Sequence, residues 1–252
     1  MSFEVAADAY DQYMGRYSRL LSPQLADFAG VRSGQRVLDV GCGPGALTAE
    51  LVARVGPSAV AAVDPSASFV AAARERHPGV EVWQASAERL PFPALTFDAT
   101  LAQLVVHFMA DPTSGAAEMA RVTRRGGVVA ACVWDHAGES GPLSLFWRSA
   151  RGLDPKVADE SALPGVREGH LAELLEVAGL SEIGQAVLWA SVEYATFEEW
   201  WEPLTKGVGP AGSYLASLRG DRQAELREMC RLEVSTMPFV ITARAWAARG
   251  RA

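Results

Sequence analysis

The sequence predicts an α/β fold: a doubly wound, mostly parallel sheet of seven strands, with helical segments inserted as covers. Three observations carry that expectation. Five short apolar runs alternate with helix-patterned segments between residues 36 and 134. Each run is continuously apolar, the pattern of a strand buried on both faces. Two further strand-like stretches, separated by helical segments, follow in the second half.

The elements follow in chain order. Tyr10 to Phe28 reads as helical, with Pro23 early in a second segment. Arg36 to Val40 is the first strand, and Gly41 to Gly45 is a glycine-rich turn. Ala46 to Val55 places Leu47, Leu51 and Val55 on one helical face, and Gly56 and Pro57 stop it. Ala59 to Val63 is the second strand, closed by Asp64 and Pro65, and Ser66 to Arg76 is a helix. Val80 to Trp83 and Phe97 to Leu101 are the third and fourth strands. A helical stretch through Met109 and a helix from Thr113 to Val122 come next, then a fifth strand, Gly127 to Trp134.

Asp135 to Gly165 is rich in Gly, Pro and Ser, with a helix around Leu143 to Ala150. Leu171 to Val177 is helical, Ile183 to Tyr194 strand-like, and Phe239 to Trp246 the last strand. Helices from Thr196 to Trp201 and from Arg222 to Val234 lie between those two strands and would cover one end of the sheet. The expected organisation is a single domain over 1–252. It comprises an N-terminal helical cover (1–30), a core (31–135), and a remainder (136–252) holding the last strands and the substrate-side insertions.

Composition narrows the function classes. Of 252 residues, 49% are hydrophobic and 21% charged, a balance that excludes disordered, collagen-like and disulfide-scaffold chains. No apolar run approaches the ~18 residues that a membrane span needs. Met1 to Tyr10 carries Glu4 and Asp8 and lacks the basic-then-apolar order of a signal peptide, so a cytoplasmic location is expected. Thirty acidic residues against 23 basic ones leave a net charge of −7. A body this acidic repels phosphate backbones, and Arg121, Arg124 and Arg125 form only a short basic cluster, so neither nucleic acid nor membrane is an expected partner. Cys42, Cys132 and Cys230 include no CxxC pair, and His77, His107, His136 and His170 show no paired ligand spacing; no metal site is expected. His77 and His170 read as surface positions.

The chemistry concentrates at Val37-Leu38-Asp39-Val40-Gly41-Cys42-Gly43-Pro44-Gly45. A strand enters a turn with three alternate glycines, and a helix follows. Glycine admits positive φ and close approach of the backbone to a ligand, and the helix start offers unpaired N–H groups. Asp64 ends the second strand, 19 residues after Gly45; a carboxylate there can accept hydrogen bonds from both hydroxyls of a ribose. The third strand is followed by Ala85-Ser86-Ala87-Glu88-Arg89-Leu90-Pro91-Phe92.

With Phe97-Asp98, Arg121-Val122 and Gly126-Gly127, this ordered set resembles the class I S-adenosylmethionine-dependent methyltransferases, closest to the small-molecule group called methyltransferase type 11. The resemblance is strong over Val31 to Asp135 and implies a Rossmann-like sheet binding S-adenosylmethionine, with S-adenosylhomocysteine as product. It implies that Asp39 holds the methionine amino group through water or neighbouring carbonyls. Gly41, Gly43 and Gly45 would pass under the methionine and ribose, Asp64 would bind the ribose hydroxyls, and Pro65 would pack on adenine. Ser86 stands where relatives often have Asp, so adenine recognition would rest more on the Ala87 backbone. Ala102 and Gln103 would face the methionine part. Tyr13 and Arg16 would close over the cofactor, Arg16 pairing with its carboxylate; the alternative is a helix packed on the sheet edge.

Methyl transfer asks little else of a protein than alignment and exclusion of water. A base is needed only if the acceptor must lose a proton, and His136 and His107 are the candidates; His107 also reads as a packing histidine and His136 as a loop residue. Trp147, Trp200 and Trp201 would either line an acceptor pocket or pack the inserted helices. Two other readings stay open: a cofactor-binding regulatory protein without turnover, and a nicotinamide-dependent oxidoreductase. Against the second, the glycines read GxGxG rather than GxGxxG, and neither lysine has a tyrosine four residues before it.

Overall fold

The computed structural model describes residues 10–252; the first nine residues of the expected N-terminal cover lie outside the described residues. The seven strands are β1 (Val37–Val40), β2 (Val60–Asp64), β3 (Glu81–Gln84), β4 (Phe97–Gln103), β5 (Thr123–Trp134), β6 (Ser181–Tyr194) and β7 (Phe239–Arg251). They form one sheet in the order β3-β2-β1-β4-β5-β7-β6. The first five pair in parallel, and β7 runs antiparallel between β5 and β6. This is the doubly wound, mostly parallel sheet that the strand–helix alternation predicts.

The α-helices are α1 (Arg16–Ala29), α2 (Ala46–Val55), α3 (Ala67–Arg76), α4 (Pro112–Val122), α5 (Ser144–Leu153), α6 (His170–Val177), α7 (Phe197–Trp201), α8 (Gly209–Ser217) and α9 (Gly220–Glu233). No helix among the described residues is long and apolar enough to cross a membrane.

Every residue of β1 is buried. The strand pleat divides them between two apolar layers. Val37, with Ala99, Leu101 and Cys132, packs against Leu21 and Leu25 of α1 and Leu47 and Leu51 of α2. Leu38 and Val40, with Val129 and Ala131, pack against Met119 and Val122 of α4 and Leu171 and Leu175 of α6. Each such fully buried side chain contributes roughly 1.5–3 kcal/mol. The loops leaving β1, β2 and β4 are therefore anchored in a rigid sandwich.

Three elements depart from expectation. Pro23 does not separate two helical segments: α1 runs through it. Leu21 and Leu25, fully buried on either side, hold the helix in place, and the Pro23 carbonyl accepts a hydrogen bond from Arg54 at 3.1 Å. The helical stretch expected through Met109 shrinks to a 3-10 turn, Val106–Phe108. Asp111 caps a fresh helix there by accepting the Ser114 N–H at 3.1 Å. The short helix α8 was not anticipated, because its Gly-Pro-Ala-Gly opening reads as a loop; tertiary burial of Ala211 and Leu215 overrides that local preference.

Candidate active site

Neighbouring connections leave the sheet in opposite directions on either side of the β1–β4 pair, so a crevice opens beyond the carboxyl ends of those strands. Gly41, Gly43, Asp64, Pro65, Phe69, Gln103, Leu104, Val105, Phe108 and Tyr10 line it, around about 520 Å³ of space continuous with solvent. Gly41, Gly43 and Gly45 all take positive φ, at 69°, 53° and 102°. A side chain at Gly41 would stand 2.4 Å from a Val105 methyl, whereas no described residue lies within 4 Å of the corresponding position at Gly43. Among the described residues the loop is thus packed at Gly41 and open at Gly43, where a ligand would lie on its backbone.

Asp64 ties this loop together. One carboxylate oxygen accepts the Gly43 N–H at 2.8 Å, and the other accepts the Ser66 N–H at 2.8 Å. Burial raises its pKa, against the lowering effect of those two hydrogen bonds. Asp39 lies deeper, 1% exposed, on the α2 side of the pleat with Val37. Its carboxylate accepts the Thr48 hydroxyl at 2.6 Å. Burial, reinforced by the nearby Asp64 charge, pushes its pKa up to about 7.

Five of the residues expected to hold the cofactor (Gly41, Gly43, Asp64, Pro65 and Gln103) therefore meet in one crevice. The others are placed differently. Asp39 sits beneath the loop rather than on the crevice wall. Gly45 faces His77, whose Nε2 lies 3.0 Å from the Gly45 carbonyl oxygen; His77 is half-buried against the glycine turn and is not a surface position as the sequence suggests. Ala102 and Gln103 do not share a surface, because adjacent strand residues point to opposite faces. Ala102 packs in the α4–α6 layer, while the Gln103 amide donates to the Ser18 carbonyl and the Ser22 hydroxyl of α1 at 3.0 and 3.1 Å. Ser86 is exposed and Ala87 buried in the same layer as Ala102. Arg16 turns to Glu199 at 2.8 Å and to the Glu193 carbonyl oxygen at 3.0 Å, with its guanidinium over the Tyr194 ring. Glu199 supplies the carboxylate that Arg16 was expected to find on a cofactor.

Tyr13 belongs to a second cavity that shares Tyr10, Leu104 and Phe108 with the crevice. Its other walls include Met14, Trp134, Leu143, Val208 and Pro210, and its polar groups are Tyr13, His107, His136 and Glu160. Leu104, on the shared wall, holds φ 61°. A left-handed backbone at a bulky residue costs roughly 1–3 kcal/mol and survives only where its surroundings impose it; here its N–H is held by the Cys132 carbonyl at 2.8 Å.

His107 and His136 come together from the loops after β4 and β5, with ring centroids 5.8 Å apart. The second is positioned by its neighbours: buried Asp135 pairs with Arg244 of β7 and accepts the Gly138 N–H at 2.8 Å. Gly141 leaves room for the His136 ring, since a Cβ there would stand 3.1 Å from Nδ1. Glu160 approaches His136 Nε2 at 3.8 Å with one oxygen, and its other oxygen accepts the Trp147 indole N–H at 2.8 Å. Burial lowers the pKa of both histidines, reinforced at His107 by His136 and opposed at His136 by Glu160. Both rings are therefore neutral at pH 7, with a lone pair available. Tyr13 Oη, His107 Nδ1 and His136 Nε2 are buried without a hydrogen-bond partner among the described residues.

Glu160 escapes sequence reasoning because it lies in the irregular stretch after β5, where no spacing rule applies. Tyr10, Phe69 and Phe108 escape it because an aromatic residue in a loop reads equally well as packing. Trp147, Trp200 and Trp201 are buried in the core with Phe146 and Phe197, which favours the packing reading of all three.

Comparison with known proteins follows the same outline. Residues 38–131 match the family model described as a methyltransferase domain. The chain is 36% identical over 128 residues to malonyl-[acyl-carrier protein] O-methyltransferase of Erwinia billingiae, covering 51% of this chain and 50% of the relative. It thus spans about half the length of that relative. It is 32% identical over 183 residues to demethylmenaquinone methyltransferase of a Mycobacterium species, covering 71% of this chain and 75% of the relative. The fold resembles that of phosphoethanolamine N-methyltransferase 2 of Haemonchus contortus, solved with phosphomonomethylethanolamine and S-adenosylhomocysteine. The TM-score is 0.58 at 17% identity, over 97% of this chain and 56% of the other.

Proposed function

Because the chain belongs to the class I S-adenosylmethionine-dependent methyltransferases, we propose that it moves a methyl group from S-adenosylmethionine to a small-molecule acceptor. The observation that carries this reading is the shared wall. The crevice at Gly41, Gly43 and Asp64 and the cavity at Tyr13, His107 and His136 meet across Tyr10, Leu104 and Phe108. A donor in the first and an acceptor in the second would face each other there.

The residues fit the donor. Among the described residues Gly43 is open to solvent on its Cα side, and Asp64 offers a carboxylate at the sheet's carboxyl edge that could accept ribose hydroxyls. Pro65 and Phe69 supply an apolar wall for adenine. Asp39 and Asp64 give this end of the sheet an acidic character that suits a cationic donor. When bound, the sulfonium methyl supplies the electrophile.

The chain's own contribution is alignment, dryness and a place for a proton. Tyr10, set edge-on to Phe69 with centroids 5.4 Å apart, closes the crevice from the N-terminal side. Aromatic and aliphatic walls exclude water from the second cavity and suit an acceptor with an apolar body and one ionisable group. His136 and His107 would receive the acceptor's proton, His136 through the Nε2 that Glu160 faces. The two cavities would hold the acceptor in line with the methyl group, so that its lone pair could take the methyl carbon while the sulfur kept the electrons of the broken bond.

The test is a radiolabelled-methyl assay with purified protein against panels of small phenols, hydroxyacids and amines. Transfer to at least one acceptor, lost in His136→Ala while S-adenosylhomocysteine still binds, supports the reading. S-adenosylhomocysteine binding without transfer to any acceptor would favour a cofactor-sensing role.

A further inference from the structure

We propose that His107, His136 and Glu160 form a binding site for one divalent transition-metal ion of the zinc class, with an open coordination position facing the second cavity. The inference rests on reading that cavity as the acceptor site, and it replaces proton acceptance by the two histidines with a cation that would bind the acceptor's ionisable group and favour its deprotonated form.

The geometry points to a cation in four ways. The three side chains each present one ligand atom, and these atoms all lie within 4.8 Å of one another. His136 Nε2 and Glu160 Oε1 are already 3.8 Å apart. Metal bonds of about 2.0–2.1 Å put tetrahedral ligands roughly 3.4 Å apart, so the set needs to close by little more than 1 Å. Two imidazoles and one carboxylate are a ligand set that zinc uses where it keeps a position open for substrate.

The second observation is the state of the ligand atoms. His107 Nδ1 and His136 Nε2 are buried without a hydrogen-bond partner among the described residues. A buried polar atom left unpaired costs about 1–3 kcal/mol, and these two belong to rings with centroids 5.8 Å apart, close enough for one partner to serve both. His107 is 4% exposed, His136 7% and Glu160 3%, so bulk water does not serve them directly. A proton shared between the rings would satisfy one pair, whereas a cation satisfies all three groups.

Third, Glu160 is already oriented. The Trp147 indole N–H holds one of its oxygens at 2.8 Å, which leaves the other turned to His136. Such outer partners fix a ligand's direction and typically account for 10- to 100-fold in affinity. Finally, the same cavity is suitable for a fourth ligand from the acceptor: it holds Tyr13 Oη, which has no hydrogen-bond partner among the described residues, and apolar walls.

The test uses the tag-free 252-residue chain, stripped with a chelator and titrated with Zn2+ by calorimetry and with Co2+ by visible absorption. One equivalent per chain, with the intense absorption of a four- or five-coordinate Co2+ site, is the expected result. His107→Ala and His136→Ala should each weaken binding by about 100-fold or more, and Trp147→Phe by roughly 10- to 100-fold. Each variant is also titrated with S-adenosylhomocysteine, which reports folding and the donor crevice independently. No stoichiometric cation in the wild type, or equal affinity in His136→Ala with S-adenosylhomocysteine still bound, overturns the proposal. Cation binding without S-adenosylhomocysteine binding upholds the metal site and removes the methyl-transfer reading beside it.

Discussion

Replacing Asp64 with alanine tests the carboxylate that is proposed to hold the donor's ribose. Its two carboxylate oxygens hold the Gly43 and Ser66 N–H groups at 2.8 Å each, and the residue is 6% exposed. A hydrogen bond to a charged group contributes about 1.5–3 kcal/mol, which corresponds to roughly 10- to 150-fold in affinity. The change is read by thermal shift with S-adenosylhomocysteine. At about 100 times its Kd a ligand adds about 2.7 kcal/mol, and for a chain of this size each kcal/mol moves Tm by roughly 2–4 °C. The wild type should therefore gain about 5–11 °C. At the same ligand concentration the Asp64→Ala protein falls to about 1–10 times its Kd and should gain only about 1–6 °C. Its unliganded Tm should also drop, since two buried N–H groups lose their acceptor. A full ligand-induced shift in Asp64→Ala would show that the ribose does not sit against this carboxylate.

Other outcomes follow from the same geometry. Gly41→Ala sets a Cβ 2.4 and 2.5 Å from the Val105 methyls at φ 69°; overpacking and left-handed strain together should cost about 2–5 kcal/mol, measured by urea unfolding. Asp39 is raised to about 7 by burial, above the unfolded carboxylate range. Its contribution to the stability of the free protein is therefore full below pH 4 and is lost as pH rises through 7. A cationic ligand favours the ionised form, so S-adenosylmethionine should bind more tightly at pH 8 than at pH 6 and release a proton at pH 7, seen as a buffer-dependent heat; Asp39→Asn should flatten both. Asp135→Asn weakens the pair with Arg244 that fixes the start of the His136 loop, and should lower transfer more than it lowers S-adenosylhomocysteine affinity.

The parallel core and the crevice at the glycine turn were legible because their causes are local. Continuous apolar runs, a glycine turn and an acid at the next strand's end are contiguous in sequence, and the fold merely aligns them. His107 and His136 were candidates singly, but their meeting with Glu160 in the second cavity was not legible, because that cavity is assembled at long range. His107 and His136 follow different strands, and Glu160 joins them from an irregular loop held by the indole of Trp147. No periodicity links those positions, so histidines without ligand spacing still converge. Arg16 shows the converse: a helix can place a basic residue near a site while a carboxylate elsewhere, here Glu199, claims it.

The most direct measurement is a crystal structure of the protein grown with S-adenosylhomocysteine. The account predicts the ligand lying across Gly41 and Gly43, its ribose hydroxyls on Asp64, its adenine between Pro65 and Phe69, and its sulfur directed past Leu104 toward His136. Density for the ligand at another site, or a crevice that takes up NADP and refuses S-adenosylhomocysteine, would contradict it.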